Sequence, residues 1–245
     1  MFLILIIYYQ NRLSVYILLI LYNLIITTSI TVTVNDEESL VNTIYETTSD
    51  SLIINIKKNV NIKLSNEISI YEKFEKISFI GEAKESSIIT FNDLSLGFSF
   101  NDSIQEVIFK NISINGTLKF TQIDDIEIDN VILNGSFIIS ENANNNTVKL
   151  NNLSFTSLRN SSTDFCFWLH GNVIINNSTF YGSSFCNNSV LYYNGENQHS
   201  LNISNSYFNG MYSNSCLDII DTNNFEVSTS LFENGYTIAG GYIYY

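Results

Sequence analysis

From Val107 onward the chain repeats itself in one register. VIFKNISING begins at 107, IEIDNVILNG at 126, VKLNNLSFTS at 148, VIINNSTFYG at 173, LNISNSYFNG at 201 and FEVSTSLFEN at 225, so successive starts are 19, 22, 25, 28 and 24 residues apart. Each unit reads apolar-x-apolar, then two polar residues, then a second short strand ending in Ile, Leu or Phe, usually followed by Gly. A third apolar segment lies between units: Leu118 to Phe120, Phe137 to Ile139, Phe165 to Leu169, Val190 to Tyr193 and Leu217 to Ile220. One triplet of short strands cannot close a core. Stacked triplets bury their inward alternate residues in one continuous column, and length variation is then confined to the turns. The pattern predicts an all-β solenoid, a parallel β-helix whose coils have three strands and three turns and rise roughly 4.8 Å each.

Upstream, LIINI (Leu52 to Ile56), VNIKL (Val60 to Leu64) and KISFIG (Lys76 to Gly81) alternate with period two and read as strands. Before them, Asn35 followed three residues later by Glu38 is a capping-box signal, which predicts a short helix over about Asp36 to Glu46. The chain thus divides into an N-terminal segment (1–29), a cap segment with the helix (30–51) and the β-helix (52–245), clearest over 107–245. This coil pattern resembles the right-handed parallel β-helix proteins of the pectate-lyase-like superfamily, in which an N-terminal helix caps the first coil. At the other end, Phe232, Asn234 and Gly240-Gly241-Tyr242-Ile243 resemble the FxxN and GGAI elements of polymorphic outer-membrane-protein repeats, with Phe-x-Asn one residue short. The coil opened by GGYIYY is incomplete, which leaves an open β-helix end to be covered by a partner or by further chain.

The second turn residue of five units is Asn: Asn111, Asn130, Asn152, Asn177 and Asn205; in the sixth it is Thr229. A tight bend between strands wants a left-handed backbone, which Asn tolerates better than other non-glycine residues. Stacked at one height, the side-chain amides are expected to hydrogen-bond from coil to coil as an Asn ladder. On this reading the glycosylation sequons at Asn111, Asn152 and Asn177 point inward and stay unmodified. The sequons at Asn101, Asn115, Asn134, Asn145, Asn160, Asn187 and Asn202 are the candidate sugar acceptors.

Those sequons suit an extracellular compartment, and so does the N-terminus. Residues 1–29 combine a lone cation, Arg12, with an apolar run from Leu13 to Ile26 and the small residues Thr27-Thr28-Ser29. They read as a secretory signal, or as a signal-anchor if uncleaved, which would then be the one contact with a membrane. Both readings make the body secreted or cell-surface. Three cysteines, Cys166, Cys186 and Cys216, suggest one disulfide and one free thiol, with the pairing open.

Lys and Arg total 11 against 24 Asp and Glu, for a net charge of −13, and no cation follows Arg159. Nucleic acid is excluded as a partner, because phosphate neutralisation needs clustered cations. Catalytic candidates are few. A lyase of the resembled superfamily would need calcium-binding acids beside an Arg or Lys base, and a hydrolase would need convergent carboxylates. Asp124-Asp125 is the one adjacent pair of aspartates and reads as a solvated turn; Asp164, Asp218 and Asp221 are dispersed. His170 in LHGN and His199 read as turn residues, and no cofactor or metal spacing stands out.

Phe165, Phe167, Trp168, Tyr192, Tyr193, Tyr242, Tyr244 and Tyr245 are expected on or beside first strands, the sheet that binds glycan in the proteins this chain resembles. Trp168 and Tyr193 are the binding candidates. The functional expectation is a non-catalytic β-helix module for adhesion or for binding glycans or a cell-surface protein. A polysaccharide lyase or glycoside hydrolase of the same fold, and a structural stalk of a longer surface protein, are the alternatives.

Overall fold

A computed structural model of the chain describes residues 29–71, 74–101, 104–140, 146–158, 166–186, 189–236 and 243–244. The expected leader therefore falls almost wholly outside the described residues. Ser29 to Val34 forms a strand that the sequence pattern did not reveal, and it pairs in parallel with Ser51–Ile56. Between them lies helix α1, Glu37–Glu46. Its N-cap is Asp36 rather than Asn35: the Asp36 carboxylate accepts the Ser39 N–H at 2.8 Å, and the Ser39 hydroxyl accepts the Asp36 N–H in return. Ser39 thus serves where Glu38 was expected. Leu40 and Ile44, one turn apart on a helix face, are buried on the end of the solenoid.

Nine parallel strands form the first sheet, in chain order: Ser29–Val34, Ser51–Ile56, Lys76–Gly81, Glu106–Lys110, Asp125–Asp129, Thr147–Asn151, Asn172–Asn176, Ser200–Ser204 and Asn224–Ser228. Its register aligns Val107, Ile126, Val148, Val173, Leu201 and Phe225, the six repeat starts. A 14-stranded sheet supplies the other two faces. The second face carries Val60–Leu64, Ser87–Phe91, Ser154–Thr156, Thr179–Tyr181, Tyr207–Asn209 and Leu231–Glu233. The third carries Ile68–Ile70, Gly97–Phe100, Phe167–His170, Ser189–Asn194, Ser215–Ile220 and Ile243–Tyr244. The protein is a parallel β-helix.

Two coils depart from the three-turn expectation. Ser113–Phe120 and Ile132–Ile139 each run unbroken through a corner, pairing with second-face strands before Gly116 and Gly135 and with third-face strands after them. Both glycines have positive φ, and a Cβ on Gly135 would sit 2.0 Å from the Gly116 carbonyl oxygen. Only glycine lets consecutive coils turn this corner at strand spacing.

Inside, Phe side chains stack coil on coil: Phe79 on Phe109, Phe100 on Phe120, Phe137 on Phe167, and Phe180 on Phe208 on Phe232, with centroids 4.6 to 5.2 Å apart and rings within 10° of parallel. The coil rise sets that spacing. Each fully buried Phe contributes about 1.5–3 kcal/mol of transfer free energy.

Asn111, Asn130, Asn152, Asn177 and Asn205 all have φ between 48° and 56°, and Thr229 has φ 48°. The left-handed bend is thus real in all six units. The side-chain ladder is shorter than expected. Asn130 Nδ2 donates to Asn111 Oδ1 at 2.7 Å, but no such rung joins Asn152 to Asn177, and both are exposed. The inward orientation expected for the sequons at 152 and 177 is therefore corrected: a left-handed bend turns its own side chain outward, and the next residue, Leu153 or Ser178, goes in. In the later coils that inward residue carries the ladder. The Oγ atoms of Ser178, Ser206 and Ser230 each accept the equivalent backbone N–H of the preceding coil, from Leu153, Ser178 and Ser206, all at 3.1 Å. A further ladder runs along the second face, where Asn134 Nδ2 donates to Asn115, Asn115 Nδ2 to Thr90 and Thr90 Oγ1 to Asn61, at 2.8 to 3.0 Å. Two sequon residues are thus engaged as rungs.

Candidate functional site

Alternation along the third face decides which side chains leave the core. In FWLH, Phe167 and Leu169 are fully buried and Trp168 between them faces out. Register then puts Ser99, Lys119, Ile138, Trp168, Tyr192 and Asp218 in one outward row. Phe167, Trp168, Tyr192 and Tyr193, expected on first strands, thus sit on third strands, and the parity corrects one candidate. Tyr193 is fully buried, its hydroxyl donating to the Gly171 carbonyl at 3.0 Å, and burial pushes its pKa up to about 12. Tyr192 is the outward tyrosine. Its ring meets Trp168 edge to face, with centroids 5.8 Å apart.

One coil further along, Asp218 stands beside Tyr192. Burial raises its carboxyl above the usual value of 3.8, since a partly desolvated carboxylate is less stable than one in water. At the other end of the row, Lys119 is held by Glu67 at 3.3 Å. The row therefore offers two aromatic surfaces, then a carboxylate acceptor, with its cation already paired. Ahead of the two strands that carry Trp168 and Tyr192, a disulfide joins Cys166 to Cys186 across consecutive coils and leaves Cys216 as a buried free thiol.

Two residues beyond Trp168, His170 ends its strand at the corner between the third face and the first sheet. The turn of the next coil, Gly195 to His199, folds over it. The N–H groups of Gln198 and His199 both bond the Gly195 carbonyl, and Glu196 and Asn197 take φ of 47° and 61°. The same turn recurs at Gly210 to Asn214, where it presents the exposed Met211 and Tyr212 instead. The turn is scaffold, and its side chains differ from copy to copy. At this corner it brings the His199 ring to 5.3 Å from the His170 ring and Glu196 Oε2 to 3.7 Å from His170 Nε2. Burial lowers the His199 pKa below 6.5, the nearby His170 lowers it further, and Glu196 opposes both.

In the sequence the two histidines read as turn residues with nothing to link them. Nothing local could join them, because their meeting depends on the lengths of two intervening turns. Asp124 and Asp125 are both exposed at the start of Asp125–Asp129, on a different sheet from Trp168. Asp164, Phe165, Tyr242 and Tyr245 lie outside the described residues, as do the sequon residues Asn145, Asn160 and Asn187. Asn101 and Asn202 are half-buried, Asn202 on the outer side of the first sheet. No helix among the described residues is long and apolar enough to cross a membrane. No protein-family model, curated protein or solved structure matches the chain.

Proposed function

We propose that this chain is a secreted or cell-surface β-helix module that binds a neutral or amino-sugar glycan on its third face without cleaving it. The observation that carries the reading is the outward row of Trp168, Tyr192 and Asp218. Sugar C–H faces stack on aromatic rings, while a carboxylate accepts hydroxyl hydrogens and orients the ring. The carboxylate and the net charge of −13 disfavour polyuronates, so the ligand departs from the acidic polymers expected of a pectate-lyase-like protein. An oxidising compartment agrees with the Cys166–Cys186 disulfide. Among the described residues, Asn152 and Asn177 are the sequon asparagines exposed at their bends and open to glycosylation, whereas the amides of Asn115 and Asn134 are engaged in the ladder.

The test is a glycan array probed with the purified protein, followed by product analysis. Binding to neutral or amino-sugar oligosaccharides, lost in Trp168→Ala and in Tyr192→Ala and kept in Tyr193→Phe, is the expected result. Product formation abolished by Asp124→Asn or Asp125→Asn would replace this reading with the enzymatic one. Absence of any binding would favour the stalk.

A further inference from the structure

We propose that His170, Glu196 and His199 form a binding site for a divalent first-row transition metal ion, with zinc as the best match. The chain contains two histidines, and the fold brings both to one corner with a carboxylate beside them. One ligand atom from each residue lies within 4.8 Å of the others. A tetrahedral ion with metal–nitrogen and metal–oxygen lengths near 2.1 Å holds its ligand atoms about 3.4 Å apart. Closure therefore asks for movements of about an ångström. Glu196 can make them, since its side chain is 39% exposed while that of His170 is 1% exposed.

A second observation points the same way. His170 is fully buried, yet neither of its ring nitrogens has a hydrogen-bond partner. A buried imidazole without a partner is costly, and a metal ion would satisfy one nitrogen at once. Next in the chain stands Gly171, with φ +88° and with the Asn146 side chain filling the space that a Cβ would occupy. That Asn146 amide is buried and likewise lacks hydrogen bonds on both its oxygen and its nitrogen. Register makes Asn146, Gly171 and His199 successive members of one column at this corner. One unsatisfied polar side chain, His170, thus belongs to the cluster, and a second, Asn146, borders it.

Two imidazole nitrogens and one carboxylate oxygen are borderline donors. They suit zinc, nickel or copper(II) and not calcium or magnesium, which prefer sites made of oxygen alone. Binding needs neutral imidazoles, so zinc affinity should fall in acid. The ion would tie the end of the strand Phe167–His170 to the turn of the next coil, and its exposed side would keep a position for water or an exogenous ligand. The inference does not rest on the glycan reading. Either can fail alone, because the metal is read without any sugar present.

The experiment treats the purified protein with chelator, then titrates it with ZnCl2 by calorimetry at pH 7.5 and follows its melting temperature. One zinc per chain is expected, with a rise of about 5–10 °C when free zinc exceeds Kd a hundredfold. CoCl2 should give the visible absorption of a low-coordinate site with mixed nitrogen and oxygen ligands. His199→Gln should abolish the stoichiometric binding. Glu196→Gln, at a partly exposed position that leaves the fold intact, should weaken it by about tenfold or more. CaCl2 and MgCl2 should have no effect. Absence of one-to-one zinc binding, zinc binding unchanged in both variants, or an equal response to CaCl2 would each overturn the proposal.

Discussion

The bend at Asn177 separates two explanations of why asparagine recurs at one register, a side-chain ladder and a backbone preference. Asn177 has φ 48°, is exposed, and makes no side-chain hydrogen bond among the described residues. Its value to the fold must therefore lie in the backbone. Asn177→Ala forces an ordinary L-residue into the left-handed region at a cost of about 1 kcal/mol, whereas Asn177→Gly accepts that φ freely and should be within about 0.5 kcal/mol of the parent. Asn130 differs, because its amide also donates to Asn111 at 2.7 Å. There Asn130→Gly isolates the rung, at about 1 kcal/mol, and Asn130→Ala loses rung and backbone together, about 2 kcal/mol. For a chain of this size, 1 kcal/mol moves the melting temperature by about 2–4 °C, so the two variants at each position resolve from one another in thermal melts at one pH. If Asn177→Gly melts as low as Asn177→Ala, the amide matters and the backbone account is wrong. If Asn130→Gly melts with the parent, the single rung contributes nothing.

Three further outcomes follow from the same structure. Phe180→Ala, at a fully buried ring stacked 4.6 Å from Phe208, should destabilise by about 3–5 kcal/mol in urea unfolding, with Tyr181→Ala beside it near neutral. Cys166→Ser with Cys186→Ser opens a bridge between residues 20 apart in sequence and should cost about 3 kcal/mol, while alkylation of the unfolded, unreduced parent should label one thiol, Cys216. Asp218 has its carboxyl raised by burial, so the native state keeps that proton to higher pH than the unfolded chain. The resulting stability is present in acid and is lost as pH rises through the raised value. Asp218→Asn should therefore melt above the parent at pH 7, and the gap should close below about pH 3.

Much of the scaffold is written in local pattern. Val107, Ile126, Val148, Val173, Leu201 and Phe225 align because period-two alternation leaves only one register that buries every inward residue. The bends are legible for a similar reason, since few residues tolerate φ near 50° and Asn leads them. The N-cap lies one residue later than the sequence pattern predicts because Asn35 and Asp36 both cap well, and Ser39, whose hydroxyl reaches back, decides for Asp36.

The candidate sites were much less legible. Trp168 and Tyr193 are legible as strand aromatics, but which of two adjacent tyrosines faces out is a matter of parity that only the structure shows, with Tyr193 inward and Tyr192 outward. The serine ladder is not legible in Asn177-Ser178 and Asn205-Ser206, because only the third dimension brings the Ser206 hydroxyl to the Ser178 backbone N–H.

By itself, then, the sequence determined a stack of parallel coils with left-handed asparagine bends, since alternation and backbone strain are properties of a residue and its near neighbours. Tertiary structure alone decided that Tyr193 is core, that Trp168 and Tyr192 share an outer row, and that His170 meets His199 beside Glu196. Those contacts run between coils, and turn lengths that carry no pattern of their own set which residues stack.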